Sequence, residues 1–246
     1  MDQLIDPADS YHLGHARRHA RTVQTLLDQK PKGKLLELGT SHLIPIMLDH
    51  LSPNLEVHVT DFDLDKPKKG KMFVSMGADE LEVPVYRVDL ETQQLPIDDD
   101  TFDYVLCCEV IEHMEVDPMF LISEINRVLK PGGTLILTTP NVTSSRAIWK
   151  ILRGLEPYFY MQYRHKPALY RHNYEYSPYA ITQVLKAGGF DGSVWTEDSF
   201  EDGVTEDVEK LKSVGYTMSN LGDNIFVVAK KVNTVINRHP AVIYAD

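Results

Sequence analysis

The chain has 246 residues, 43% of them hydrophobic and 25% charged, the composition of a globular fold with room for one large α/β domain or two small ones. Its formal charge of −11 argues against a long nucleic-acid partner, because phosphate binding needs a basic surface. The two cysteines, Cys107 and Cys108, are neighbours and point to opposite faces of a strand, so neither a disulfide nor a CxxC metal site is expected. The N-terminal residues hold no apolar signal core, and no stretch approaches the roughly 18 apolar residues of a membrane span. A reducing, cytoplasmic setting is the expectation.

In chain order, His15–Gln29 fits a helix with Ala16, Ala20, Val23, Leu26 and Leu27 on one face. Lys34–Leu38 is a first buried strand. A turn at Gly39-Thr40-Ser41 leads into a helix reaching about His50, with Ser41 as its cap. A second strand, Leu55–Thr60, ends at Asp61, and Lys66–Met76 reads as irregular or a poorly formed helix. The lysines Lys66, Lys68, Lys69 and Lys71 read as a solvated loop. Val83–Val88 is a third strand, followed by Asp89 and a polar turn through Thr101. DYVLCC is a fourth strand, Pro118–Lys130 a helix, and TLILTT a fifth strand after Pro131-Gly132-Gly133. Thr143–Leu152 and Tyr179–Ala187 look helical, Ser193–Thr196 and Asn224–Lys231 look extended, and Glu201–Lys212 is an acidic helical insert. The tail, 232–246, has some strand character and can serve a partner or a homo-oligomer. With no repeat and no linker, one domain spanning 1–246 is expected. Strand and helix patterns alternate, as a doubly wound sheet requires.

Ligands of such sheets bind beyond the carboxyl ends of the strands. Three residues there look purposeful. Gly39 permits a close backbone approach. Asp61 lies 22 residues later, where an acid is placed to accept hydrogen bonds from ribose hydroxyls. Asp89, ending the third strand, can accept from the exocyclic amine of a purine. The turn lacks the third glycine of G-x-G-x-x-G, so a nucleoside without phosphates fits better than a dinucleotide.

LLELGTS, VTDFD, VDLETQQLP, TFDYVLCCEVIEHM and LKPGGTLILTTPN, in this order and spacing, resemble the class I S-adenosylmethionine-dependent methyltransferases. The resemblance covers 34–141 closely and extends loosely to Lys231. It implies a Rossmann-like, doubly wound, seven-stranded, mostly parallel sheet whose last strand is antiparallel. It also implies S-adenosylmethionine as cofactor, held by the core at 34–141. Glu37, Gly39, Thr40 and Ser41 would line the methionine side, and Asp61 would take the ribose hydroxyls. Phe62 would stack beside the adenine, Asp89 and Leu90 would hold its amine edge, and Cys108 and Glu109 would close the methionine end. Glu112-His113 and Pro140-Asn141 would face the acceptor. The family's G-x-G-x-G turn is here Gly39-Thr40-Ser41-His42-Leu43, with Ser41 and Leu43 replacing two glycines.

Methyl transfer is an in-line displacement, so much of the work is positioning. Where the acceptor must lose a proton, His113 and His172 are the candidate bases. The segment 142–178 would form an acceptor-side lid. Its Trp149, Tyr158, Phe159, Tyr160, Tyr163, Tyr170, Tyr174 and Tyr176 offer flat faces with hydroxyl handles. The expected activity is methylation, at oxygen, of a small molecule or glycan-precursor sugar, as in the ubiquinone-type and polysaccharide-cluster group, with no metal. Two alternatives stand beside it. Glu109, Glu112, His113 and His172 also resemble the spacing in metal-dependent RNA ribose 2′-O-methyltransferases, and the altered glycine turn would suit a non-catalytic binding protein of the same fold.

Overall fold

A computed structural model describes residues 10–159, 161, 171–198, 204–215 and 220–245. Its elements are α1 (Ser10–Asp28), β1 (Gly33–Leu38), α2 (Leu43–Leu51), β2 (Leu55–Asp61), β3 (Lys69–Met76), β4 (Asp79–Arg87), β5 (Phe102–Cys108) and a single 3-10 turn at Ile111–His113. There follow α3 (Pro118–Val128), β6 (Leu129–Pro140), α4 (Ser145–Leu152), α5 (Pro178–Ala187), β7 (Phe190–Glu197), α6 (Val204–Ser213) and β8 (Asn224–Lys231).

Among the described residues the strands form one sheet in the order β3-β4-β2-β1-β5-β6-β8-β7. The five central strands, β4 to β6, run parallel. β8 is antiparallel to β6 and β7 on either side, as expected of the last strand. The sheet has eight strands where seven were expected. The extra one is β3, read from the sequence as irregular, which pairs antiparallel with β4 from Lys69↔Tyr86 to Met76↔Asp79. The pairing leaves Gly77-Ala78 as a two-residue turn, and Gly77 has the positive φ, 61°, that such a hairpin turn needs at its first position. Lysines at its start mask the strand in the sequence, but they suit an exposed edge. Lys71 pairs with Glu82 at 2.6 Å, and charges on an edge strand discourage pairing with another chain.

Adjacent residues of each central strand feed opposite faces, which is why short apolar runs suffice. Leu36, Cys107, Leu135 and Leu137 pack with Ile122 and Ile125 of α3 and Ile181 and Val184 of α5. Leu35, Leu106 and Ile136 pack on the other face with Val23 and Leu26 of α1 and Leu43, Ile46 and Leu48 of α2. Asp103 of β5 links the starts of β1 and β6, accepting from the Lys34 amide at 2.9 Å and from Lys130 Nζ at 2.9 Å. β6 begins at Leu129, before the Pro-Gly-Gly stretch, because Leu129 pairs with Phe102 across an irregularity in the ladder.

The tail is not a strand. Val235, Val242, Ile243 and Tyr244 pack against the α3–α5 core, and Arg238 Nη2 sits 2.6 Å from Asp117. Tyr244 donates its hydroxyl to Asp117 and accepts from the Met119 amide. Burying apolar side chains on the tail's own domain outweighs the modest extended propensity of its residues.

Candidate functional site

β1 is the point where the chain order of the strands reverses, with β2 on one side and β5 on the other. A crevice is expected beyond the carboxyl ends there. The expected residues Gly39, Asp61, Asp89 and Glu109 fall just past or at the ends of β1, β2, β4 and β5, four strands adjacent in the sheet.

Gly39 has φ of 66°, a conformation that side chains other than glycine adopt only with strain. Its amide donates to Thr60 Oγ1 at 2.8 Å, fixing the turn to β2. Glu37 is 1% exposed beneath this turn. Its carboxylate accepts from the Ser41 hydroxyl at 2.8 Å, the Ser41 amide at 3.3 Å and the Thr40 hydroxyl at 3.5 Å. Ser41 Oγ in turn caps α2 by accepting from the Ile44 amide at 3.0 Å, so serine does here what the missing glycine would not. His42, between them, takes the left-handed conformation with φ of 59°.

Burial outweighs those hydrogen bonds and pushes the Glu37 carboxyl from 4.5 up to about 7. A carboxyl raised by folding stays protonated in the native chain while the unfolded chain ionises. Its penalty therefore grows as pH rises above 4.5 and is complete above about 7. Wild-type stability is expected to fall by about 3 kcal/mol relative to Glu37→Gln across that window. Urea midpoints of the two proteins that differ equally at pH 5 and pH 8 refute it.

Asp61 Oδ1 accepts from the Phe62 amide at 2.9 Å, and Arg87 Nε lies 3.7 Å from its carboxylate. Phe62, beside it, is 47% exposed. Asp89 accepts from the Glu91 amide at 3.0 Å and the Thr92 hydroxyl at 2.6 Å, holding the turn that carries Leu90. Each carboxylate oxygen has two lone pairs, so the acceptor capacity of Asp89 is only partly used.

Glu109 has φ of 55° and is the hub of the β5 end. Its Oε1 accepts from Thr138 at 2.8 Å and Asn224 at 3.2 Å, and its Oε2 faces Arg18 Nη1 at 3.0 Å. Burial, then Glu37 and Glu109, push the Cys108 thiol up to about 12, so it stays protonated and unreactive.

The acceptor-side candidates meet through a loop whose docking no local pattern announces. The amides of Asn173 and Tyr174 donate to the Glu112 carbonyl at 2.7 and 3.2 Å, stitching 171–176 onto the turn after β5. His113 and His172 then stand with ring centroids 5.0 Å apart. His113 Nδ1 donates to the Arg171 carbonyl at 3.0 Å, which leaves its lone pair on Nε2. Burial and the neighbouring His172 disfavour its charged form, although the Arg171 carbonyl offsets part of this. His172 Nδ1 contacts Glu175 Oε1 at 2.8 Å, and that oxygen also accepts from the Phe159 amide at 2.8 Å.

Glu112 is fully buried. Its Oε2 accepts from Thr139 at 2.9 Å, whereas Oε1 has no partner among the described residues. Burial, then Glu109, hold its carboxyl well above the usual range. One ligand atom from each of Glu112, His113 and His172 lies within 4.8 Å of the other two.

Several expected roles move. Tyr176 is 1% exposed and belongs to the core, not to an acceptor face. Asn141 is spent on the loop beneath the site, donating to Asn220 and Gly222 carbonyls and accepting from Thr143. Tyr158 and Tyr174 remain exposed, while Tyr160, Tyr163 and Tyr170 lie outside the described residues. Arg18, Thr138, Asn224 and Glu175 join the site without having been expected there. Only Glu175 left a signal, the H-x-x-E spacing from His172.

Residues 11–193 match a family model described as a methyltransferase domain. A demethylmenaquinone methyltransferase of Bacillus cytotoxicus is 30% identical over 119 residues, 47% of this chain and 48% of that protein. The chain thus spans about half the length of that curated relative. Among solved structures, the Haloferax volcanii protein in complex with the Trm112 methyltransferase activator superposes with a TM-score of 0.59 at 16% identity, covering 92% of this chain and 96% of that one. A SAM-dependent methyltransferase from Archaeoglobus fulgidus gives 0.56 at 17% identity, covering 91% and 100%.

Proposed function

The chain belongs to the class I S-adenosylmethionine-dependent methyltransferases, and on that basis we propose that it methylates a small-molecule or glycan-precursor acceptor, at oxygen. When bound, the cofactor would supply a methyl group on a sulfonium, whose sulfur departs as a neutral thioether with the C–S bonding pair. Its binding falls to Glu37, Gly39, Thr40 and Ser41 on the methionine side, Asp61 and Phe62 at the ribose and adenine, Asp89 and Leu90 at the amine edge, and Cys108 and Glu109 at the methionine end. These residues fit such a group. Glu37 and Glu109 are acids beside the methionine end, where a cation relieves the burial of a carboxylate. The exposed Phe62 ring provides an apolar face next to an acceptor of hydroxyl hydrogens.

The observation that carries the acceptor reading is the His113–His172 pair beside the β5 end. A histidine whose Nδ1–H is held by a carboxylate carries its lone pair on Nε2, the atom that can take a proton. His172, oriented by Glu175, would accept the hydroxyl proton of the acceptor, and His113 would orient the attacking oxygen. The whole chain acts as one domain, with 34–141 as the cofactor core and 142–178 on the acceptor side. The test is calorimetry with S-adenosylmethionine and S-adenosylhomocysteine, followed by transfer of labelled methyl to small-molecule extracts. Micromolar binding and a labelled product that His172→Ala reduces by about 100-fold or more are expected. Absence of binding by either nucleoside at millimolar concentration refutes the activity, and binding without any transfer selects the non-catalytic reading.

One observation favours a second reading. The unpartnered Glu112 Oε1 and the two imidazoles are adequate ligands for a first-row divalent cation. It would bring the RNA ribose acceptor with it, against the acidic charge of the chain. Retention of about one equivalent of Mn2+ or Zn2+ after desalting, abolished in Glu112→Ala, selects it. Full transfer activity after strong chelation eliminates it.

A further inference from the structure

α4 carries two stripes that no step of the reaction uses. Ile148, Ile151, Leu152 and Leu155 recur at the i, i+3, i+4, i+7 spacing of one helix face. Such a stripe ordinarily faces a core, yet Ile151 and Leu152 are each 56% exposed and Leu155 is 55% exposed. Ser145 and Ala147 are the residues that α4 buries instead. Gly154, with φ of 73°, turns the chain back, and the Leu155 amide donates to the Lys150 carbonyl at 2.9 Å. The apolar residue after the helix is thus held to its last turn. The second stripe is basic. Arg146, Lys150 and Arg153 follow one another at helical spacing, and Glu156 is the one acid in 145–159. Arg153 and Lys210 of α6 both lie over the Trp149 ring, at 4.6 and 4.9 Å, which gathers a further cation to this end of the molecule.

Exposed aliphatic side chains bordered by cations along one helix suit the boundary of a bilayer. The apolar stripe enters the acyl region while lysine and arginine meet anionic head groups. A protein partner is matched less well, because interface cores favour aromatic residues and are poor in lysine. The chain as a whole carries a charge of −11 and is repelled by anionic lipid, so this basic face is the one that can approach it. We propose that α4 and the turn to Leu155 dock on an anionic lipid bilayer. The contact lies in the plane of the interface, since the eight residues of α4 are too few to span it. The docked face adjoins the acceptor side. β6 leads into α4 through 141–144, and beyond the patch the Phe159 amide donates to the Glu175 oxygen that holds His172. Docking sets that side of the sheet toward the bilayer, whatever the acceptor.

The test is co-sedimentation of the full chain, without cofactor, with vesicles of phosphatidylcholine alone or mixed with phosphatidylglycerol. Each cation near an anionic surface strengthens binding about fivefold, so mixed vesicles are expected to bind about 10- to 100-fold more tightly than neutral ones at low salt. Lys150→Gln combined with Arg153→Gln is expected to weaken binding to mixed vesicles by about 25-fold. Ile151→Ser, Leu152→Ser and Leu155→Ser together are expected to weaken it by about tenfold or more. All three side chains are exposed, so this variant keeps its circular dichroism and serves if the charge variant, which loses a partner of Trp149, fails to fold. Binding to neither vesicle, equal binding to both, or binding that both variants retain overturns the proposal. In place of vesicle binding, dimerisation that the serine variant abolishes assigns the face to a second copy, and capture on immobilised polyglutamate assigns it to an acidic protein; either overturns the proposal. Vesicle binding by a chain that calorimetry shows not to bind S-adenosylmethionine leaves the docking standing and refutes the catalytic reading alone.

Discussion

Asp61→Ala is expected to weaken S-adenosylmethionine binding by about 100-fold while the protein stays folded. The carboxylate ends β2 with 30% of its side chain exposed, and its neighbours leave acceptor capacity on both oxygens. Two ribose hydroxyls donating to a charged oxygen form charge-assisted hydrogen bonds, each worth about 1.5–3 kcal/mol. Losing the pair removes about 3 kcal/mol of binding, or two powers of ten in Kd. The bond to the next amide contributes little, but Asp61 also lies 3.7 Å from the buried Arg87 guanidinium, so the alanine variant is expected to lose some stability while remaining folded. Asp61→Asn keeps one acceptor and no charge and is expected to fall between the two proteins. Titration calorimetry that finds the alanine variant within threefold of wild type removes Asp61 from the cofactor site.

The largest stability loss outside the apolar core is expected from Asn141→Ala, about 3 kcal/mol in urea unfolding. Asn141 is fully buried just past β6. Its amide donates to the Asn220 and Gly222 carbonyls at 3.1 and 2.7 Å, and its oxygen accepts from the Thr143 amide at 3.0 Å and hydroxyl at 2.8 Å. Truncation strands several backbone groups at once, which costs more than the bonds themselves contribute. Asn141→Asp retains the acceptor half and separates the two loops' contributions. A loss below 1 kcal/mol for the alanine variant would mean that the 141–145 turn and the 220–222 loop hold together without this side chain.

Much of this molecule is readable one residue at a time. Runs such as LLEL, DYVLCC and TLILTT can only be two-faced buried strands, because an alternating pattern would leave one face in water. Their ends therefore announce a crevice, and the placement of Gly39, Asp61 and Asp89 at the ends of neighbouring strands is legible from their spacing alone. β3 is not legible in the same way. Its strand character depends on an antiparallel partner nine residues long, and its lysines describe an edge only once β4 is beside it. Tyr176 and Asn141 depart from expectation for a related reason. An aromatic ring and an amide look like binding groups in a sequence, but burial turns one into core and the other into a loop brace.

Local periodicity, and spacing along single strands and turns, are enough to specify the doubly wound sheet, its parallel core and the row of polar residues at the strand ends. Which distant groups meet is a property of the folded chain. Arg18 reaches Glu109 across 91 positions, and His113 meets His172 through a loop docked on the Glu112 carbonyl. The protonation of Glu37 and Glu112 is set there too, since a carboxyl's charge depends on how much water remains around it. Periodicity carries the backbone; burial and long-range pairing carry the chemistry.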